Sequence, residues 1–152
     1  MTHIVDIQGR KTRFSDEGKG RAVVFLHGFP ESMEIWEELS KELSSTYRVI
    51  WPDLLGFGGS ECSGYVHPME DMAEQVKHLL DHLKLRKYVL IGHSMGGYVA
   101  MAFAEKYDEQ LSGLCMFHSS AAPDSVEKKV DRDRAIEAVK ADKKAFVFAL
   151  LD

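Results

Sequence analysis

Two kinds of hydrophobic pattern alternate along the first 120 residues of the chain. Short continuous apolar runs are typical of strands buried on both faces of a sheet, and apolar residues recurring every three or four positions are typical of helices. The runs predict strands at 22–26 and 88–91, and two further apolar-rich segments predict strands at 47–51 and 111–117. The periodic segments predict helices from about residue 32, from 69 to 83, and from 97 to about 107. Two alternating stretches, 3–8 and 11–16, predict a hairpin around Gly9 and Arg10.

This order of elements predicts an α/β fold, a mostly parallel sheet of about six strands with helices on both faces. In such sheets, functional residues lie at the carboxyl ends of the strands. His27, Asp53, Ser94 and His118 each stand just after a predicted strand. In the first helix, the pattern predicts a buried face made of Ile35, Trp36, Leu39 and Leu43.

The pattern changes after residue 122. Asp124 and Glu127 are spaced as an N-cap pair, and the helix that follows has a thin apolar stripe under many charges. A helix without a following strand belongs outside the sheet, so we expect a core at 1–122 and the beginning of a helical lid or interaction arm at 123–152. The run Ala145–Leu151 is wholly apolar, and we expect something to cover it.

Composition narrows the class of protein. The chain has 152 residues, of which 45% are hydrophobic, and its net charge of −5 is spread without acidic or basic blocks, so neither nucleic acid nor an anionic membrane is an expected partner. No apolar run is long enough for a membrane span, and the start lacks the apolar core of a signal peptide. Cys62 and Cys115 suit two reduced thiols, and therefore a cytoplasmic protein. The histidines show no metal-ligand spacing; His78 and His82, four apart, fit a solvated helix face.

The segment Gly92–Gly96, Gly-His-Ser-Met-Gly, lies between a predicted buried strand and a predicted buried helix. So tight a strand-to-helix turn strains the residue at its apex and brings the flanking residues together, which glycine tolerates. It would present the Ser94 hydroxyl above the sheet, with the backbone N–H of Met95 beside it. The alternative is a glycine-rich turn with an incidental serine. A phosphate-binding loop is disfavoured, because no Gly-Lys-Ser/Thr follows.

Three motifs in order give the chain its resemblance to a known family. They are His27-Gly28-Phe29-Pro30 after the third strand, Pro52–Ser60 (Pro-Asp-Leu-Leu-Gly-Phe-Gly-Gly-Ser) after the fourth, and Gly92–Gly97 after the fifth. The chain resembles the amino-terminal half of the α/β-hydrolase superfamily, and within it the lidded, esterase-like serine hydrolases. The resemblance covers about residues 3 to 120.

The resemblance implies a role for each matching residue. Ser94 would be the nucleophile, and the backbone N–H groups of Phe29 and Met95 would form the oxyanion hole. His27, Gly28, Phe57 and Tyr98 would contribute to substrate binding, with Phe29 and Leu55 as further candidates for an apolar acyl pocket. A buried His27 that only shapes its turn is an equal alternative, and Asp53 would hold its own loop through backbone hydrogen bonds.

The resemblance also implies a reaction, the hydrolysis of carboxylic esters or related acyl bonds without metal or organic cofactor. Serine at position 94 argues against the dehalogenase and epoxide hydrolase branches, which place aspartate there. It leaves cofactor-free haloperoxidase and carbon–carbon bond hydrolase chemistry open.

One departure from the family pattern is large. The family's triad continues after the serine with an acid and then a histidine, whereas His118 is the only histidine after Ser94. His118 is therefore the one candidate base, and the chain is expected to be truncated and inactive or impaired. A non-catalytic fragment or self-associating module is the alternative. The sixth strand would leave an open sheet edge, which predicts a homo-oligomer, a domain swap or a partner chain.

Overall fold

The computed structural model describes residues 1–150, and the chain divides into two compact units, Met1–Ser120 and Ala121–Asp152. The strands of the first unit are β1 (Thr2–Ile7), β2 (Arg10–Glu17), β3 (Ala22–Leu26), β4 (Arg48–Pro52), β5 (Tyr88–His93) and β6 (Leu111–Phe117). Its helices are α1 (Glu37–Leu43), α2 (Met69–His82) and α3 (Met95–Tyr107), with short 3₁₀ turns at Met33–Trp36 and Asp108–Gln110.

The six strands form one sheet in the order β1-β2-β4-β3-β5-β6. β2 runs antiparallel to β1 and β4, and the other neighbouring pairs are parallel. The predicted α/β sheet is thus confirmed. The carboxyl ends of β3, β4, β5 and β6 lie at the same edge, which brings the segments after them together.

Side chains alternate between the two faces of the sheet and build a core on each. On the larger side, Val24, Leu26 and Leu90 pack with the apolar faces of α2 and α3. On the smaller side, the buried cluster comprises Val23, Phe25, Met33, Trp36, Val49 and Trp51, against which Val89 and Ile91 pack. Helical cover on both faces, predicted from the continuous apolar strands, is confirmed.

The buried face of the first helix differs from its prediction. Met33, Trp36 and Ser40 are buried, whereas Ile35 and Leu39 are 43% and 40% exposed. The segment begins as a 3₁₀ turn, in which residues three apart align, so Met33 lies on the same side as Trp36. This rotates the contact face away from the one that an α-helical period alone predicts.

The second unit contains α4 (Val126–Ala141) and α5 (Lys143–Ala149), and neither helix buries a residue. The N-cap of α4 is Ser125, whose side chain accepts a hydrogen bond from the Lys128 N–H, whereas Asp124 pairs with Arg132. The predicted N-cap at Asp124 is therefore wrong by one residue, since the Asp124 carboxylate is taken by a guanidinium. The apolar run predicted to need cover includes Phe148, which is 68% exposed, and ends at Leu151, outside the described residues.

Within residues 1–150, none of the helices combines the length and apolar character that a bilayer crossing needs.

Candidate active site

Ser94 lies at the point where β5 turns into α3. Its backbone has φ 50° and ψ −112°, a left-handed conformation that a side-chain-bearing residue rarely adopts. In this turn Gly92 and Gly96 approach each other so closely that a Cβ on Gly92 would overlap the Gly96 carbonyl. The turn is possible because Gly92 has no side chain. The strained, glycine-flanked apex predicted from the sequence is confirmed, with Ser94 half-buried at the amino terminus of α3.

The end of β6 supports the Ser94 backbone. The Ser94 N–H donates to the Phe117 carbonyl at 3.1 Å, and the Ser119 hydroxyl donates to the Ser94 carbonyl at 2.8 Å. The Ser94 carbonyl also accepts from the Gly97 N–H at 3.0 Å. The N–H of Ser94 is therefore occupied and is not available to an attacked carbonyl group.

His27, directly after β3, is fully buried, and both ring nitrogens bind backbone. Nε2 accepts the Leu54 N–H at 3.0 Å, so Nδ1 carries the proton and donates to the Gly28 carbonyl at 2.8 Å. Burial lowers the pKa of His27, outweighing the nearby carboxylates that raise it. His27 is therefore a neutral ring that shapes the loop, with its side chain fully buried behind it.

The Gly28–Glu31 segment is a closed turn directly beside Ser94. The Glu31 N–H donates to the Gly28 carbonyl at 3.1 Å, and the Gly28 N–H donates to the Glu31 carboxylate at 2.6 Å. A Cβ on Gly28 would lie 3.1 Å from the Cβ of Ser94. Because a trans peptide unit is planar, anchoring the Gly28 carbonyl fixes the opposite direction for the Phe29 N–H. Gly28 is buried, and because it has no side chain its backbone can lie this close to Ser94.

Aromatic side chains lie next to this turn. Phe29 is half exposed, and its ring meets the edge of Phe57 at a centroid distance of 6.0 Å. Phe57 in turn packs against His27 at 5.3 Å, and Tyr98 is half-buried on α3. Leu55, a sequence candidate for the acyl pocket, is fully buried in the larger core, so it contributes to packing and not to a pocket surface.

Asp53, directly after β4, is fully buried and holds its loop in the way the sequence predicts. It accepts from the N–H groups of Met33 and Gly59, both at 2.8 Å, and from the Arg13 guanidinium at 3.0 Å. The Gly59 contact closes the loop on itself, and the Met33 and Arg13 contacts tie it to the rest of the fold, which supports the structural interpretation of this carboxylate.

His118, the sequence candidate for the base, is exposed at the end of β6 with φ 46°. Its ring lies 4.6 Å from that of Phe117 and 6.2 Å from that of His93. Among residues 1–150 no side chain is hydrogen-bonded to the Ser94 hydroxyl, His118 included. The structure thus brings Ser94, Met95 and the Gly28–Glu31 turn together, and within the described residues no base is hydrogen-bonded to the Ser94 hydroxyl.

Two polar residues next to Ser94, Glu31 and Ser119, carry almost no signal in the sequence. Glu31 accepts from His93 Nδ1 at 2.9 Å as well as from Gly28, and Ser119 binds the Ser94 carbonyl. The only sequence signals were their positions, Glu31 three residues after Gly28 and Ser119 two residues after a strand.

Comparison with known proteins identifies the family. The profile of the alpha/beta hydrolase fold matches residues 21–135. The chain is 31% identical over 153 residues to the AB hydrolase superfamily protein YisY of Bacillus subtilis, covering 94% of this chain and 57% of that protein. It is 37% identical over 108 residues to a soluble epoxide hydrolase of Corynebacterium sp., covering 71% of this chain and 37% of that protein. The chain belongs to the alpha/beta hydrolase family.

A solved structure gives a matching result. The thermophilic esterase of Thermogutta terrifontis, in its malate-bound form, superposes with a TM-score of 0.87 at 40% identity, covering 97% of this chain and 56% of that one. The chain therefore spans a little over half of the length of this relative and of YisY, and about a third of the epoxide hydrolase.

Proposed function

We propose that this chain carries the nucleophile and the oxyanion hole of a serine hydrolase that acts on carboxylic esters or related acyl bonds. The observation that carries the proposal is Ser94 at a left-handed apex before α3, with the Gly28–Glu31 turn packed against it. The likeness to a thermophilic esterase supports the ester substrate. The epoxide hydrolase relative points to the same fold, but Ser94 stands where that branch is expected to have aspartate.

The proposed reaction begins with attack of the Ser94 Oγ on the substrate carbonyl carbon. The oxygen of the tetrahedral intermediate accepts hydrogen bonds from the Phe29 and Met95 N–H groups, the alcohol leaves with a proton, and an acyl-enzyme remains for water to hydrolyse. Phe29, Phe57 and Tyr98 would contact the apolar part of the acyl group.

Proton transfer is the step that the described residues do not supply at Ser94. Loss of the base from a serine triad typically costs several orders of magnitude in rate. We therefore propose that this chain on its own reacts slowly through Ser94, as a hydrolase site in need of a base. Cys62 and Cys115, which form no disulfide, support a reducing, cytoplasmic setting.

The test is covalent labelling of the full chain with a fluorophosphonate, followed by intact-mass measurement and peptide mapping. We expect one slow adduct on Ser94, its rate increased by added imidazole acting as an external base, and no adduct on the Ser94→Ala variant. The exposed Ser45 supplies a control, since Ser45→Ala should label like the wild type.

Labelling spread over several serines, or none even with imidazole, would contradict the proposal. It would favour the alternative, a non-catalytic module that keeps the turn without its chemistry.

A further inference from the structure

Glu31 connects the two segments from which the proposed oxyanion hole is built. One of its oxygens, Oε2, accepts from the Gly28 N–H at 2.6 Å and from His93 Nδ1 at 2.9 Å. Gly28 precedes Phe29, and His93 precedes Ser94. We propose that Glu31 is a positioning residue that holds the Phe29 amide in register with Ser94 and Met95. This rests on the proposed function, because it assigns a role within the same site.

Oε2 of Glu31 can only accept hydrogen bonds in this arrangement. An ionised carboxylate only accepts hydrogen bonds, so the proton on His93 Nδ1 is directed at Glu31. His93 is in turn held by its surroundings, because its ring packs at 6.2 Å against buried Trp36 and at 5.7 Å against Phe117. The Gly28 side of the bridge is thus anchored to a fixed ring on β5.

Gly28 transmits this anchor to Phe29 through the two peptide units that flank its Cα. The Gly28 carbonyl is already bound by His27 Nδ1 and the Glu31 N–H, while its own N–H is bound by the carboxylate. With both sides of Gly28 fixed, the direction of the next N–H is fixed as well. Without the Glu31 side chain, the Gly28 carbonyl would keep both of its partners, but the Gly28 N–H would lose its hydrogen-bonded connection to His93 on β5.

The pair Glu31→Gln and Glu31→Ala tests the bridge. A glutamine can place its carbonyl oxygen where Oε2 lies and accept both hydrogen bonds, whereas alanine accepts neither. In a ¹⁵N–¹H spectrum we expect Glu31→Ala to shift the amides of Gly28, Phe29, Ser94 and Met95, and Glu31→Gln to restore most of them. The exposed Glu38 gives the control, since Glu38→Ala should move none of these four signals.

Phenylboronic acid provides the second readout, because it forms a tetrahedral adduct with a serine hydroxyl and places an oxygen in the oxyanion hole. We expect its affinity to fall about tenfold or more in Glu31→Ala, since displacing a catalytic group by about 1 Å can cost on the order of 100-fold in rate. Glu31→Gln should recover most of the affinity.

A third variant separates the two bonds. His93→Phe keeps a ring beside Trp36 and Phe117 but removes the Nδ1 donor, so it should weaken boronate binding while the Gly28 amide keeps its hydrogen-bonded shift.

The proposal is overturned if Glu31→Ala shifts only residues 28–31 and binds the boronate as the wild type does. If the wild-type chain itself binds no boronate, the proposed function fails, and the amide shifts alone then decide whether the bridge exists.

Discussion

Ser94 is held from two sides by contacts of different kinds. On the side of β3, the Gly28–Glu31 turn is fixed by the side chains of His27, Glu31 and His93. On the side of β6, the Phe117 carbonyl accepts a hydrogen bond from the Ser94 N–H, and the Ser119 hydroxyl donates one to the Ser94 carbonyl. The β6 side therefore sets where Ser94 lies, whereas the Gly28–Glu31 turn sets what surrounds its hydroxyl.

The largest expected effect comes from disrupting the close approach of Gly92 to Gly96, which shapes the turn that carries Ser94. Gly92→Ala places a methyl group on the Gly96 carbonyl, and we expect it to lower the free energy of unfolding by about 3 kcal/mol, the upper end of typical overpacking costs. The matched control is Gly113→Ala in β6, whose Cβ would meet Val89 at an ordinary 3.6 Å.

Urea denaturation measures both variants. Gly113→Ala should stay within about 1 kcal/mol of the wild type, the usual range for a compatible glycine replacement. Equal stabilities for the two variants would show that the turn is not as tight as described.

The second effect concerns the His27 anchor and its pH dependence. Because burial lowers the pKa of His27 below 6.5, the unfolded chain binds a proton at this residue more readily than the folded chain. The stability it contributes is complete above pH 6.5 and is lost as the pH falls from there towards the folded-state pKa. In His27→Gln, we expect the slope of unfolding free energy against pH to become smaller in this window.

Urea denaturation between pH 7.5 and pH 5 measures that slope, and the exposed His82 offers the control variant His82→Gln. An unchanged slope in His27→Gln would mean that this ring is protonated equally in both states.

A smaller effect is expected from Ser119→Ala, which removes a single hydroxyl from the β6 support. The hydrogen bond from the Ser94 N–H to the Phe117 carbonyl remains, so the free energy of unfolding should fall by about 1 kcal/mol, the usual net value of one hydrogen bond, with only a few-fold loss in labelling of Ser94. Ser112→Ala, an exposed serine of β6, is the control for stability and labelling. A labelling loss far beyond a few-fold in Ser119→Ala would contradict the division of roles between the two sides.

The smallest expected effect on the folded chain is a change in self-association through the edge strand β6. In the described sheet β6 pairs with β5 alone, and its Leu114 and Phe117 are 43% and 46% exposed. We expect the chain to self-associate through this edge at micromolar concentration and Leu114→Lys to weaken the association. Ile4→Lys on β1, the other edge strand, should not. Light scattering after size exclusion decides, and a monomeric wild type would refute the expectation.

Much of this architecture could be predicted from the sequence, because buried strands and tight turns leave strong local patterns. The run Ala22–Leu26 and the strand Leu111–Phe117 match their predicted bounds, and the glycines at 92 and 96 indicated the strained serine. The face of α1 was missed because a 3₁₀ turn changed the period before the helix began.

The supporting residues of the site could not be predicted for a different reason. The contact between Glu31 and His93 joins positions 62 residues apart, and nothing in the local pattern of either residue indicates the other. The Ser119 contact depends on where the end of β6 passes relative to Ser94, which only the assembled sheet determines.

The most direct test of the central claim is a crystal structure of the chain after reaction with the fluorophosphonate. We expect phosphorus bonded to Ser94 Oγ, with one phosphoryl oxygen about 2.7–3.1 Å from the backbone nitrogens of both Phe29 and Met95, the usual spacing of an oxyanion hole. An adduct whose oxygen points to solvent, or contacts neither amide, would contradict it.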